Sequence, residues 1–381
     1  MDLKDYRAQI DEIDDQLTQL FERRMETARG IAEYKKANGL PVLDAGRERE
    51  KLNTICAKVS PEMRHYTSVL YSSLFELSRS YQSRQMLQTS ELNSRISDAL
   101  ENTPKLVPQS ASVAVCGVEG AYAQIACEKI FKHPSVMYFG SFDGVFSAID
   151  SGLCKYGIVP IENSTAGSVK PVYDAMIHHN FSIVRSTRLK VDHNLIAKKG
   201  VKVEEIREIV SHEQALNQCS EFLKSLGKNV KLTAVENTAV AAEMVAASDR
   251  RDLAALASRS CVDLYDLACL KDSVQDQGNN YTRFICISKN LEIYPGADRT
   301  TIMVSTAHRP GALYKLLSRF YALDINITKL ESRPIPERDF EFMFYFDLET
   351  SVYSEEFAQL ISELSAGSEG FTYLGSYSEV V

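Results

Sequence analysis

"LKDYRAQIDEIDDQLTQLFERRMETARGIAEYKKAN", residues 3–38, repeats its apolar positions Ile10, Ile13, Leu17, Leu20, Ala28 and Ile31 every three or four residues. This spacing predicts one unbroken helix, stopped by Asn38-Gly39 and Pro41. About 36 helical residues span roughly 54 Å at 1.5 Å per residue, longer than a small domain is wide, so the reading predicts that a partner chain covers the helix. Cations share its apolar stripe. At about 100° per residue counted from Ile10, Arg24 and Lys35 both fall within about 40° of it. Burying a cation is costly unless it is paired or its stem reaches water. Two readings follow: snorkelling side chains paired with Glu, or an internal anion site between helices.

Working outward from that helix, residues 45–59 read as a second helix. "SPEMRHY" opens a third, with Ser60 as N-cap and Pro61 at its first position. The third helix is expected to run at least to Gln85 and at most to Leu100. "ENTPKLVPQSAS" then forms a linker. Residues 1–92 are therefore assigned to an all-α domain.

From Ser112 the pattern changes. "SVAVCGV", "YGIVPI", "FSIVRSTRL", "HNLIAK", "EIVSH", "KLTAVE", "LAALAS" and "TRFICIS" read as short strands, separated by helical stretches at 121–131, 141–151, 214–226 and 238–247. This alternation predicts an open α/β domain over residues 111–289. After a linker at 290–299, "TTIMVST", "INITKLES", "FEFMFYFDLE" and "FTYLGSYS" enclose two helices. Their order, βαββαβ over residues 299–379, is ferredoxin-like.

Composition narrows the function. The chain has 381 residues and a formal net charge of −8, which gives no support to a nucleic-acid surface. Its N-terminus is charged and amphipathic, and no apolar run is long enough to span a bilayer, so a cytoplasmic protein away from membranes is expected. The eight cysteines lack C-x-x-C spacing and the seven histidines form no zinc-like cluster, so reduced thiols and no metal are expected.

The first segment carries eight polar residues that single it out: Arg7, Arg24, Lys35, Asp44, Arg47, Glu48, Ser78 and Gln82. With these it resembles the all-helical chorismate mutases, dimers in which each site borrows an Arg from the partner. The resemblance implies that Arg24 and a partner-chain Arg7 clamp two carboxylates, with Arg47 and Ser78 assisting. Lys35 and Gln82 would meet the ether oxygen, and Asp44 and Glu48 the ring hydroxyl region. Such a pericyclic rearrangement needs no nucleophile and no cofactor, only a folded substrate and donors aimed at the developing charge.

Three polar clusters mark the α/β segment: Glu162, Asn163, Ser164 and Thr165 in "VPIENSTAG", Ser211 and Gln218 in "SHEQALNQC", and "NNYTRF" at 279–284. Each alone is ordinary turn and capping chemistry. Together, and with "GVEGAYA", they resemble prephenate dehydratase. That resemblance implies two α/β lobes like a periplasmic binding protein, with substrate in the cleft. Thr282 would help the ring hydroxyl depart, with Glu162 as a rival proton donor. Asn163, Ser164, Ser211, Gln218 and Phe284 would contact or orient substrate, and Arg283 would contact a substrate carboxylate or brace the loop.

"RPGALYKLL" and "ITKLESRP" in the last segment look like phenylalanine-binding ACT domains. By that resemblance Gly311, Ala312, Leu313, Glu331, Ser332 and Arg333 would hold the effector. Nearly the whole chain thus resembles the bifunctional chorismate mutase/prephenate dehydratases. The implied ligands are chorismate, prephenate and L-phenylalanine, and the implied assembly is a homodimer or homotetramer. Arogenate dehydration, or a non-catalytic amino-acid sensor, are the other readings.

Overall fold

Asp2 starts the first helix: its carboxylate accepts from the amides of Lys4 and Asp5, and Asp5 reaches back to the Asp2 amide. Such a cap contributes about 1 kcal/mol. Helix α1 then runs unbroken over Leu3–Ala37. In this computed structural model, which describes residues 2–86, 91–227, 229–306, 308–335, 341–367 and 370–381, α1 packs along α3 and buries Ala28 and Ala32. Ile10, Ile13, Leu17 and Leu20 are each at least 50% exposed. Asp44 caps α2 (Ala45–Cys56) through the Arg47 amide. Ser60 takes the expected N-cap position with Pro61 directly behind it. Pro61–Met63 form one 3-10 turn, Ser60 makes no side-chain cap bond, and α3 covers Arg64–Gln85. That end is the shorter of the two limits expected, and Glu91–Asn102 form a further helix, α4.

The chain divides into two units, residues 1–98 with 302–372 and residues 99–301 with 373–381. In the second unit come β1 (Ser110–Cys116), α5 (Tyr122–Ile130), β2 (His133–Phe139), α6 (Phe142–Asp150), β3 (Tyr156–Asn163), β4 (Gly167–Ser168), α7 (Lys170–His178) and β5 (Ser182–Lys190). After a crossover at 191–193 follow β6 (Asn194–Ala197), β7 (Glu208–Ser211), α8 (Glu213–Gln218), α9 (Ser220–Ser225), β8 (Lys231–Ala234), α10 (Thr238–Ala247), β9 (Leu253–Ala257), α11 (Ser260–Leu264) and β10 (Ala268–Lys271). A second crossover at 272–280 returns the chain as β11 (Tyr281–Ser288).

The strands form two mixed sheets, and hence two lobes. One has the order β16-β5-β11-β3-β1-β2, with β4 on β3 and β16 being Glu379–Val380; the other has the order β10-β6-β9-β7-β8. The crossovers run side by side: Val191 N–H donates to the Asn280 carbonyl and Val274 N–H to the His193 carbonyl, both at 2.8 Å. Each lobe has its own apolar core, including Val113, Ile158, Phe284 and Cys286 in the first and Ile196, Val210, Ala242 and Leu256 in the second.

The last elements are β12 (Arg299–Thr306), α12 (Ala312–Ala322), β13 (Asn326–Pro334), β14 (Phe342–Glu349), α13 (Glu355–Gly367) and β15 (Phe371–Tyr377). Their sheet order, β13-β14-β12-β15, is the ferredoxin-like arrangement. Within the first unit α3 meets α12 and α13, with Gln359 donating to the Ser80 carbonyl at 2.7 Å and Arg84 paired with Glu355 at 2.9 Å.

Candidate active sites

The helical group forms around α1 and α3. Arg24, half-buried, donates to the Leu74 carbonyl at 3.1 Å and lies 5.9 Å from the centre of the Phe75 ring. Burial lowers its pKa against the opposing pull of Tyr71 and Glu48. Among the described residues no carboxylate forms an ion pair with it, so it is available to an anionic ligand. Lys35, also half-buried, donates to the Val42 carbonyl at 2.5 Å.

Ser78 and Gln82, one helical turn apart, are both buried. Gln82 Nε2 donates to the Ser78 carbonyl at 3.1 Å, while its Oε1 is buried without a hydrogen-bond partner among the described residues. A donor to an ether oxygen therefore requires that amide to turn. Asp44 uses one oxygen to cap α2. Glu48 is engaged by Arg79, which also holds Glu76. Sequence reading missed Arg79, because a lone Arg on a polar helix face has no signal apart from its neighbours. Arg47 does not join the group; it is exposed and pairs with Glu50 at 2.9 Å. Arg7 is exposed and stands 17 positions before Arg24, about 26 Å along the helix.

The α/β site is built where β3 and β11 pair. Antiparallel register sets Thr282 opposite Asn163 and Arg283 opposite Glu162, and a bulge between Arg283 and Phe284 shifts the pairing just below. Bulges re-aim side chains in this way. Asn163 Oδ1 accepts from the amides of Thr165 (3.1 Å) and Ala166 (2.9 Å), which fixes which end of its carboxamide is nitrogen. Nδ2 then donates to Thr282 Oγ1 at 2.9 Å and to Asn280 Oδ1 at 2.7 Å. Thr282 is thus an acceptor toward Asn163, and its own proton is free for another partner.

Gln218, from α8 in the other lobe, donates to Thr165 Oγ1 at 2.7 Å and accepts from Asn280 at 3.0 Å. His193 Nε2 lies 2.9 Å from the same Gln218 oxygen. Burial lowers the His193 pKa, partly offset by Gln218 and Asp192. His193 was not expected, and Asn280 only as part of "NNYTRF". Both lie on crossover segments, whose function is set by chain topology rather than by local pattern.

The other expected residues are placed as follows. Glu162 Oε1 lies 2.9 Å from Arg283 Nε, as an ion-pair partner of that guanidinium. Arg283 is 4% exposed and pairs with Glu162, which fits the bracing alternative. Phe284 belongs to the core of its lobe. Ser211 is fully buried and gives its hydroxyl to the Leu256 carbonyl at 2.7 Å, tying β7 to β9. Ser164 clips the neighbouring turn, donating to the Asn279 carbonyl at 2.7 Å and accepting from the Tyr281 amide at 2.9 Å.

At the start of α12, Gly311 takes a left-handed conformation (φ 80°), which a side chain would strain, and Ala312 and Leu313 follow. On β13, Glu331 and Arg333 share one face, and the two-residue period puts Ser332 on the other. The expected trio is therefore split. Among the described residues no group of three His, Cys, Asp or Glu could hold a metal, and all eight cysteines are free.

Arg24 and Lys35 on the helices, and Thr282 in a hydrogen-bonded group drawn from both α/β lobes, mark two separate polar centres, the layout of a two-centre enzyme. Comparison with known proteins gives the same pairing: chorismate mutase type II matches residues 6–83 and prephenate dehydratase residues 113–292. The bifunctional chorismate mutase/prephenate dehydratase of Escherichia coli (strain K12) is 30% identical over 380 residues, which cover 97% of this chain and 95% of that one. The chain belongs to the bifunctional chorismate mutase/prephenate dehydratase family, an isomerase and a lyase in one polypeptide.

Arogenate dehydratase 3, chloroplastic, of Arabidopsis thaliana is 37% identical over 284 residues, 70% of this chain and 66% of its own length. Two solved structures share the fold. Prephenate dehydratase in complex with L-Phe from Arthrobacter aurescens has a TM-score of 0.65 and 24% identity, covering 71% of this chain and 90% of that one. GqqA, described as a novel type of quorum quenching acylase, has a TM-score of 0.64 and 29% identity, covering 70% of this chain and 97% of that one.

Proposed function

We propose that the helical centre folds chorismate between Arg24 and Lys35 and rearranges it to prephenate. The α/β cleft then converts prephenate to phenylpyruvate, with Thr282 as the group that protonates the departing ring hydroxyl. The bond to the ring carboxylate breaks, its electrons restore the aromatic ring, carbon dioxide leaves, and hydroxide takes the Thr282 proton and departs as water; solvent returns the proton. The observation that carries this reading is the direction of the Asn163–Thr282 bond, which occupies a lone pair of the hydroxyl and leaves its hydrogen free. Asn163 and Gln218 hold that geometry from both lobes. Thr282→Ala should lose dehydratase turnover and keep mutase turnover, and Lys35→Ala the reverse. Equal loss of both activities in either variant would sink the assignment.

Because Arg7 stands about 26 Å from Arg24 on the same helix, it reaches an Arg24 site only from a second copy of the chain, and the exposed stripe Ile10, Ile13, Leu17 and Leu20 supports that pairing. A homodimer or a homotetramer built from it, acting in the cytoplasm, is the proposed assembly. The βαββαβ segment is proposed as an ACT regulatory domain that takes L-phenylalanine at Gly311, Ala312 and β13, favouring a state in which the cleft works less well. The arogenate relatives support a second substrate for the same cleft, and turnover of prephenate against arogenate by one preparation decides between them.

A further inference from the structure

Hydrogen-bond directions around Thr282 are fixed from one end. The Thr165 hydroxyl lies 2.7 Å from Asn163 Oδ1, an oxygen already facing two amides, so it must donate there. Its lone pairs are then left for Gln218 Nε2 at 2.7 Å. This turns Gln218 Oε1 toward both Asn280 Nδ2 and His193 Nε2, and each of those nitrogens must donate. The His193 ring therefore carries its proton on Nε2. Its Nδ1 is buried with no hydrogen-bond partner among the described residues, in a side chain 3% exposed. An acceptor left unpaired in that position carries a desolvation penalty that an apolar side chain of similar shape would not.

We propose that His193 is a positioning residue of the dehydratase centre: its Nε2–H fixes the Gln218 carboxamide, which through Asn280 and Thr165 keeps Asn163 aimed at Thr282. The location suits the role. His193 sits on one crossover and Asn280 on the other, while Gln218 and Thr165 belong to different lobes, so the bonds form only when the lobes hold one spacing. The inference rests on Thr282 being the catalytic hydroxyl.

The test uses the full chain, with both activities measured on His193→Leu, His193→Asn, His193→Gln and Thr282→Ala. Gln carries an amide N–H at about the reach of Nε2, whereas Asn is too short. Losing the bond should lower dehydratase kcat about tenfold in the Leu and Asn variants with little change in KM. The Gln variant should keep most of the activity, and mutase turnover should be unchanged throughout. Wild-type kcat in His193→Leu, a fall in His193→Gln as deep as in His193→Leu, or a rise in KM with kcat intact would each overturn the proposal. If Thr282→Ala remains active, the catalytic reading fails instead; if it is dead while His193→Leu is normal, only the positioning role fails. Nitrogen NMR of the labelled wild-type chain tests the tautomer directly, even where a variant does not fold. A proton on Nε2 alone is expected, and a proton on Nδ1 overturns the proposal.

Discussion

Replacing Asn163 with Asp changes one atom of the side chain that matters, Nδ2 to an oxygen, and reverses the bond on which catalysis is argued to depend. In the wild type Nδ2 donates to Thr282 Oγ1 at 2.9 Å and to Asn280 Oδ1 at 2.7 Å. Oδ1, held by the Thr165 and Ala166 amides, is the same in both residues. In Asn163→Asp the Thr282 hydroxyl turns its hydrogen into the carboxylate. A hydrogen bond to a charged acceptor is worth about 1.5–3 kcal/mol, and it must break before the proton can pass to the leaving hydroxyl. That added barrier corresponds to a fall in kcat of about 10- to 150-fold. The assay is phenylpyruvate absorbance from prephenate, with chorismate consumption by the same preparation as the measure of folded enzyme. A dehydratase kcat within twofold of wild type, with mutase intact, would show that the direction of the Thr282 bond is irrelevant.

Three further outcomes are expected. His179 Nδ1 and Nε2 lie 2.6 and 2.9 Å from Asp150 and Asp143; burial opposes the ring's charge, but these bonds outweigh it and raise its pKa above the usual 6.5. Its contribution to stability is therefore full below about pH 6.5 and is lost as pH rises through the raised value, and His179→Gln should flatten that decline in the melting temperature; unchanged pH dependence refutes the clamp. Leu17→Asp places a charge in the exposed stripe of α1 and should shift the chain toward monomer in sedimentation with loss of mutase alone, whereas an unchanged assembly would remove the stripe from the interface. Gly375 has φ 141°, and a Cβ there would lie 2.3 Å from the Ile183 carbonyl, so Gly375→Ala should destabilise the chain by about 2 kcal/mol or more in denaturant titration.

The sequence by itself determined whatever depends on neighbours along the chain. The helical period of residues 3–37, the stop at Asn38-Gly39, the apolar run ending "FICI" and the βαββαβ order were all legible, because period and turn chemistry act over a few residues. It also picked out Thr282, Asn163 and Gln218, which the structure joins through Asn280 and Thr165. The edge strand β2, half-exposed and carrying Pro134, has too weak an alternation to be read as a strand. Which polar residues turn inward was decided only by tertiary structure. Ser211 stands seven positions before Gln218 and Phe284 two after Thr282, yet sheet pairing and core packing bury them, while the two crossovers bring His193 and Asn280, 87 positions apart in sequence, to the same Gln218 oxygen. Hydrogen bonds act over about 3 Å of space, and no local rule in the chain can state which distant residues will share it.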